Sequence, residues 1–171
     1  MNKSTLCWTI ILFFAVCPFL HAQNDKIEIK IEKITDVVYV LKSLGTNVGV
    51  LVGSDSLIII DPATIKRTHA SFEAAIKNIS DKPIKYILNT HHHGDHSVGN
   101  KYFSDRGAIV ISQSNIQYLP TNITRRKESY SELLIDNKFQ LNLITDSIQA
   151  YHVMSHTGND LLIKIKGSNV L

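Results

Sequence analysis

Four histidines and one aspartate fall within residues 91–96, in the run Thr90-His91-His92-His93-Gly94-Asp95-His96. Imidazole and carboxylate together suit zinc, and by ligand type iron or manganese are also accepted. In an extended backbone alternate side chains share a face, so His91 and His93 can converge on one ion while His92 points elsewhere, as a packing or supporting residue. Gly94 permits a bend that swings Asp95 and His96 toward a neighbouring second position. A solvated histidine tract would serve no such end, but this one follows directly on the apolar run Ile84-Lys-Tyr-Ile-Leu88, which as a strand can hold ligands in place.

The elements around that segment are readable from periodicity. Ile27–Ile31, Val37–Leu41 and Val48–Val52 read as antiparallel strands. Leu57–Ile60 is a continuous apolar run ended by Asp61-Pro62, since proline cannot donate to a ladder. From Thr64 to Ile79, apolar Ile65, Phe72, Ala75, Ile76 and Ile79 recur at helical spacing, which predicts an amphipathic helix with His69 on its polar, surface side. Strand Ile84–Leu88 then completes a βαβ-like crossover. A short helix over Val98–Phe103, a strand over Gly107–Ile111 and helical segments at Gln113–Tyr118 and Ile123–Leu134 follow. Phe139–Leu143, Ile148–Val153 and Leu161–Ile165 return to strand patterns, and Gly167–Leu171 reads as a turn opening a new strand.

Composition sets the class. The 171 residues are 44% hydrophobic and 19% charged, with 8 Gly and 4 Pro, which excludes disordered, collagen-like and low-complexity chains. Lys3, the apolar run Leu6–Leu20 and the exit His21-Ala22-Gln23 describe a secretory signal peptide cleaved near Ala22, too short and too interrupted by Pro18 to span a bilayer. The expected division is a signal peptide over 1–22 and one domain over 23–171, secreted or periplasmic, with no membrane attachment after cleavage. Cys7 and Cys17 both lie in the leader, so the mature segment has no thiol for a disulfide or a metal. A net charge of +3 demands no acidic partner, and Arg125-Arg126-Lys127, without interleaved aromatics, reads as a solvated face and not as a nucleic-acid site.

The pattern His91-x-His93-x-Asp95-His96 resembles the signature of the metallo-β-lactamase-fold hydrolases, and Val50–Asp61 is similar to the strands that precede it there. Ser155-His156-Thr157-Gly158-Asn159-Asp160 looks like the turn that delivers a third histidine. The resemblance covers most of residues 35–171. It implies an α/β (α+β) fold, an αββα four-layer sandwich, with His91, His93 and His156 on a first zinc and Asp95 and His96 on a second. Zinc would lower the pKa of its water to about 7 for attack on an amide, ester, lactone or thioester carbonyl. Asp95 would orient that water as well as hold metal, and the substrate would be a small molecule. The extra His96 places the motif nearer the third lactamase subclass and the glyoxalase-II-like enzymes than the first subclass.

The departures carry information too. In that family a bridging aspartate or cysteine follows the third histidine on the next strand, and a further histidine comes later. Neither follows His156 in residues 157–171, and Asp160 falls at the turn-to-strand position where the resemblance implies an acid or small residue without metal contact. The expectation is therefore a domain whose second half is incomplete. The alternative is a non-catalytic fragment that binds at most one zinc through His91, His93 and His156, because three protein ligands and water suffice for a site. His152 is assigned a structural role. Residue pattern leaves the substrate, the metal's identity and the oligomeric state open.

Overall fold

A computed structural model of the chain describes residues 27–43, 45–119, 131–142 and 147–171. The signal-peptide segment, the basic triplet 125–127 and most of the helix expected over Ile123–Leu134 lie outside these residues. Ten strands are present among them: β1 Lys30–Lys33, β2 Val38–Ser43, β3 Thr46–Val52, β4 Leu57–Ile60, β5 Ile84–Leu88, β6 Ile109–Gln113, β7 Leu133–Ile135, β8 Lys138–Asn142, β9 Ser147–Val153 and β10 Asp160–Ile165. Three helices, α1 His69–Ile79, α2 Gly94–Ser97 and α3 Asn100–Ser104, and a 3-10 turn at Ser114–Tyr118 complete the set.

Strands β1 to β7 lie in sequence order in one sheet, antiparallel through β4 and parallel from β4 to β7. The parallel β4–β5 pair, crossed over by α1, is the expected βαβ unit. Strands β8, β9 and β10 form a second, antiparallel sheet.

The period of two in the strands explains how the layers stack, because each strand of the large sheet supplies both of its faces. On one face Val48, Val50, Leu57, Ile59, Ile87 and Val110 pack with Phe72, Ala75 and Ile76 of α1 and Phe103 of α3. On the other, Leu51, Ile58, Leu88 and Ile111 meet Ile148, Ala150, Leu161, Ile163 and Ile165 of the small sheet. The described residues thus build three layers in order, helices, large sheet and small sheet, the order of the first three layers expected of an αββα sandwich.

Several local expectations are corrected. The helix begins at His69, not Thr64, because the Thr68 hydroxyl bonds to the Ile65 backbone N–H and carbonyl, at 3.0 and 2.9 Å, and holds 64–68 in a turn. His69 is not on a free polar face: it is half-buried, its ring 3.6 Å from that of Tyr102 of α3. Leu133 and Leu134 belong to β7, not to a helix, since parallel pairing with Ile111–Gln113 overrides local propensity. At the C-terminal turn only one bridge forms, between Ile165 and Val170.

Candidate metal centre

Strand β5 ends at Leu88, and residues 89–93 form a loop that runs into the one-turn helix α2. His91 and His93 do share a face, with ring centroids 4.7 Å apart, although no strand holds them. Gly94 is the first residue of α2 and is not among the positive-φ residues, so the bend is a helical turn and needs no glycine-only conformation.

The loop is anchored from below by a buried amide pair. Asn89 and Asn100 exchange side-chain hydrogen bonds of 3.2 and 2.8 Å, and Ser112 of β6 donates to Asn89 Oδ1. From the side it is anchored by Asp61, which follows β4 in the left-handed region at φ 52°. One carboxylate oxygen of Asp61 accepts from the Thr90 N–H at 2.7 Å. The other accepts from the Thr90 hydroxyl at 2.6 Å and from His96 Nδ1 at 2.8 Å. A non-glycine residue held at positive φ is a strained position of the kind that clusters at functional sites.

These bonds fix tautomers. Because the only hydroxyl proton of Thr90 goes to Asp61, its oxygen accepts from His91 Nδ1–H, 3.0 Å away. His91 Nε2 is then left as a lone pair, and that atom is buried without any hydrogen-bond partner. Likewise His96 donates from Nδ1 to Asp61, and its Nε2 turns to Asp95, 3.5 Å from a carboxylate oxygen. Imidazole ligands oriented by a hydrogen bond from the opposite ring nitrogen are the usual arrangement at metal sites.

The third histidine comes from the turn between β9 and β10. Asp160, first residue of β10, accepts from the N–H and the hydroxyl of Thr157, at 2.6 and 2.7 Å. The Leu161 N–H donates to the Thr90 carbonyl at 2.7 Å, stitching the turn to the histidine loop. His156 thereby reaches His93, with Nε2 3.0 Å from its Nδ1. Candidate donor atoms of His91, His93 and His156 all lie within 4.8 Å of one another.

Electrostatics favour neutral ligands at two of the three. Burial first, and then the neighbouring His96, hold His91 below the ordinary imidazole pKa, against the pull of Asp61. Burial, then His92 and His156, do the same for His93. His96 moves the other way, raised by its hydrogen bond to Asp61. Burial alone would raise the Asp160 carboxyl, but hydrogen bonds from Thr157 and from the His156 N–H bring it below its usual value.

A tetrahedral zinc with Zn–N of about 2.0–2.1 Å separates its ligand nitrogens by roughly 3.3 Å. The 3.0 Å between His93 and His156 is near that spacing, and the orphaned His91 Nε2 is the donor such an ion would satisfy. The three histidines therefore fit a metal ion. The sequence profile of the Metallo-beta-lactamase superfamily matches residues 42–169. The chain belongs to that superfamily.

Among curated relatives, the hydroxyacylglutathione hydrolase of Prochlorococcus marinus (strain MIT 9312) is 28% identical over 116 residues, 67% of this chain and 42% of the relative. The type 2 metallo-beta-lactamase of Elizabethkingia meningoseptica is 23% identical over 173 aligned positions, 96% of this chain and 68% of that protein. Among solved structures, the subclass B3 metallo-beta-lactamase of Bradyrhizobium japonicum superposes with a TM-score of 0.69 at 18% identity, over 84% of this chain and 59% of that one. Metallo-beta-lactamase GOB-18 from Elizabethkingia meningoseptica gives 0.68 at 15%, over 84% and 58%. These likenesses show the fold, and the chain spans about two fifths of the hydroxyacylglutathione hydrolase.

Of the residues singled out from the sequence, His91, His93 and His156 come together as a triad. Asp95 and His96 face each other beside it but are not part of that cluster, and the Asp95 side chain is 67% exposed. His92 bonds to Asn159 at 2.7 Å, and His152 bonds to the Gly158 carbonyl at 3.2 Å, both in supporting roles as expected. The residue missed is Asp61. It signals only the end of a strand in the sequence, and what it touches lies 29 and 35 residues further on. Gly99 was also passed over: a Cβ there would sit 2.1 Å from the Pro62 carbonyl oxygen, so only glycine lets α2 and α3 close on the Asp61 loop.

Proposed function

We propose that this chain is an exported, zinc-dependent hydrolase of a small-molecule carbonyl compound. One observation carries the proposal: three imidazoles from two distant turns converge, with the buried His91 Nε2 lacking any protein partner. The hydrolase names of the relatives support the reaction class, and the leader-like residues 3–22 support export. A zinc ion held by His91, His93 and His156 would supply water of pKa about 7 and polarise the substrate carbonyl.

The protein's own residues do the rest. Thr90 and Asp61 keep the Nε2 lone pair of His91 free, and Asp61 orients the His96 ring through Nδ1. Asp95, exposed beside the triad, orients the attacking water and takes its proton, and with His96 Nε2 offers half of a second metal position. Amide, ester, lactone and thioester substrates all meet these requirements. The test is hydrolysis of a β-lactam and of a hydroxyacylglutathione thioester by the purified chain, abolished by a chelator and restored by zinc. Loss of that activity in Asp95→Asn with zinc still bound supports the reading. No zinc-dependent turnover of any carbonyl substrate overturns it.

A second reading, a metal-binding chain without turnover, is favoured by the metal-ligating group found among the described residues, which holds His91, His93 and His156 and leaves Asp95 and His96 outside it. It predicts one tightly held ion and no hydrolysis.

A further inference from the structure

His92 stands between two of the three converging histidines, yet its own bond leads away from them. Its Nδ1–H donates to Asn159 Oδ1 at 2.7 Å, and Asn159 is three residues past His156. Asn159 is 1% exposed, and its Nδ2 has no partner, so the amide is held through its oxygen by His92.

Apart from the His156–His93 contact, the turn that carries His156 is tied to the first half of the fold at three places among the described residues. The Thr90 carbonyl accepts from the Leu161 N–H, which sets where β10 begins, and Asn115 Nδ2 donates to the Gly158 carbonyl at the exposed side. The third tie, His92 to Asn159, joins a half-buried ring to a buried amide, and it starts from a residue flanked by His91 and His93. The His92 ring also meets that of His93, with centroids 4.7 Å apart at 64°. His156, by contrast, is exposed and makes its side-chain bond to His93 alone. Its position is therefore set by its turn, and the turn's side-chain anchor at Asn159 is His92.

We propose that His92 is a positioning residue whose hydrogen bond to Asn159 seats His156 opposite His93 and so closes the third corner of the metal triad. The proposal rests on the reading of that triad as a metal centre. A role confined to packing would predict a general loss of stability from any truncation, whereas a positioning role acts on metal affinity through Asn159.

The experiment uses the full chain and its His92→Ala, His92→Gln, Asn159→Leu and His92→Ala/Asn159→Leu forms. Zinc affinity is measured by competition with a chromophoric chelator, cobalt(II) ligand-field spectra report the donor set, and thermal unfolding of the metal-free proteins reports stability. We expect a ten- to hundredfold loss of zinc affinity in His92→Ala. Asn159→Leu should match it, and the double variant should lose no more than either single one. His92→Gln, whose amide N–H can still donate to Asn159, should recover most of the affinity, and the cobalt spectrum of His92→Ala should show a changed donor set. Affinity within twofold of wild type in His92→Ala overturns the proposal. So does a loss that His92→Gln leaves unrepaired and that tracks the drop in metal-free stability. A wild-type chain that takes up no zinc overturns the metal-centre reading itself, a failure visible before any variant is made.

Discussion

His93 Nδ1 and His156 Nε2 face each other 3.0 Å apart although 63 residues separate them in the chain. One belongs to the loop after β5 and the other to the turn before β10, so the triad forms only when the two sheets pack. The core between the sheets, with Leu88 and Ile111 on one side and Ile148 and Leu161 on the other, is therefore part of the site's construction. Burying that surface contributes about 25 cal/mol per Å² and is what brings the third imidazole home.

Asp61 should matter to both stability and metal. Asp61→Asn keeps the side chain's shape and tolerates the left-handed backbone, but it sets an amide N–H against the donors of Thr90 or His96. Leaving a buried donor unpaired costs about 1–3 kcal/mol, which urea unfolding of the metal-free chain will read. Zinc affinity should fall ten- to hundredfold as His91 and His96 lose their orientation.

Gly99→Ala should be more damaging than its size suggests. The added methyl would meet the Pro62 carbonyl oxygen at 2.1 Å and Thr64 Cγ2 at 2.7 Å. Backbone must give way, at a cost of about 1–3 kcal/mol or more, and the loop carrying Asp61 is what moves. Denaturant midpoints of Gly99→Ala and wild type measure it, with equal midpoints counting against this packing.

The Asn89–Asn100 pair offers a coupling measurement. Asn100→Ala leaves Asn89, 2% exposed, without its reciprocal partner and should cost about 1–3 kcal/mol. Asn89→Ala should cost a similar amount, and the double variant clearly less than the sum, since one bonded unit is lost in every case.

How much of this was legible in sequence follows the range of each interaction. The strands around β3, β4 and β5 and the histidine run show themselves because period two and motif spacing are local. His156 was reachable through its own short motif. Asp61 was not, because a carboxylate at a strand end looks the same whether it closes a turn or bonds Thr90 and His96 across the sheet. The start of α1 was misplaced for a related reason: Thr68 competes with the helix through its hydroxyl, which apolar spacing does not register. β7 escaped because its strand character comes from β6 and not from Leu133 and Leu134 themselves.

pH dependence provides a test away from the metal. Burial lowers the His69 pKa below 6.5, as does Arg106, against opposing contributions from the Thr64 backbone and Glu73. Folding thus favours the neutral ring. Its contribution is complete above about pH 6.5 and is lost as the pH falls from there through the lower folded value, because the unfolded chain takes up the proton first. Unfolding midpoints of the metal-free chain should therefore drop more between pH 7 and pH 5 in wild type than in His69→Phe, which keeps the aromatic contact with Tyr102. Parallel curves would contradict the assignment.

The central claim is that His91, His93 and His156 together hold a metal ion, and zinc content per chain tests it most directly. Elemental analysis of the purified chain, equilibrated with zinc and freed of excess, should return at least one ion, and the His91→Ala/His93→Ala form should lose it. No zinc in wild type, or equal zinc in both proteins, would contradict the account.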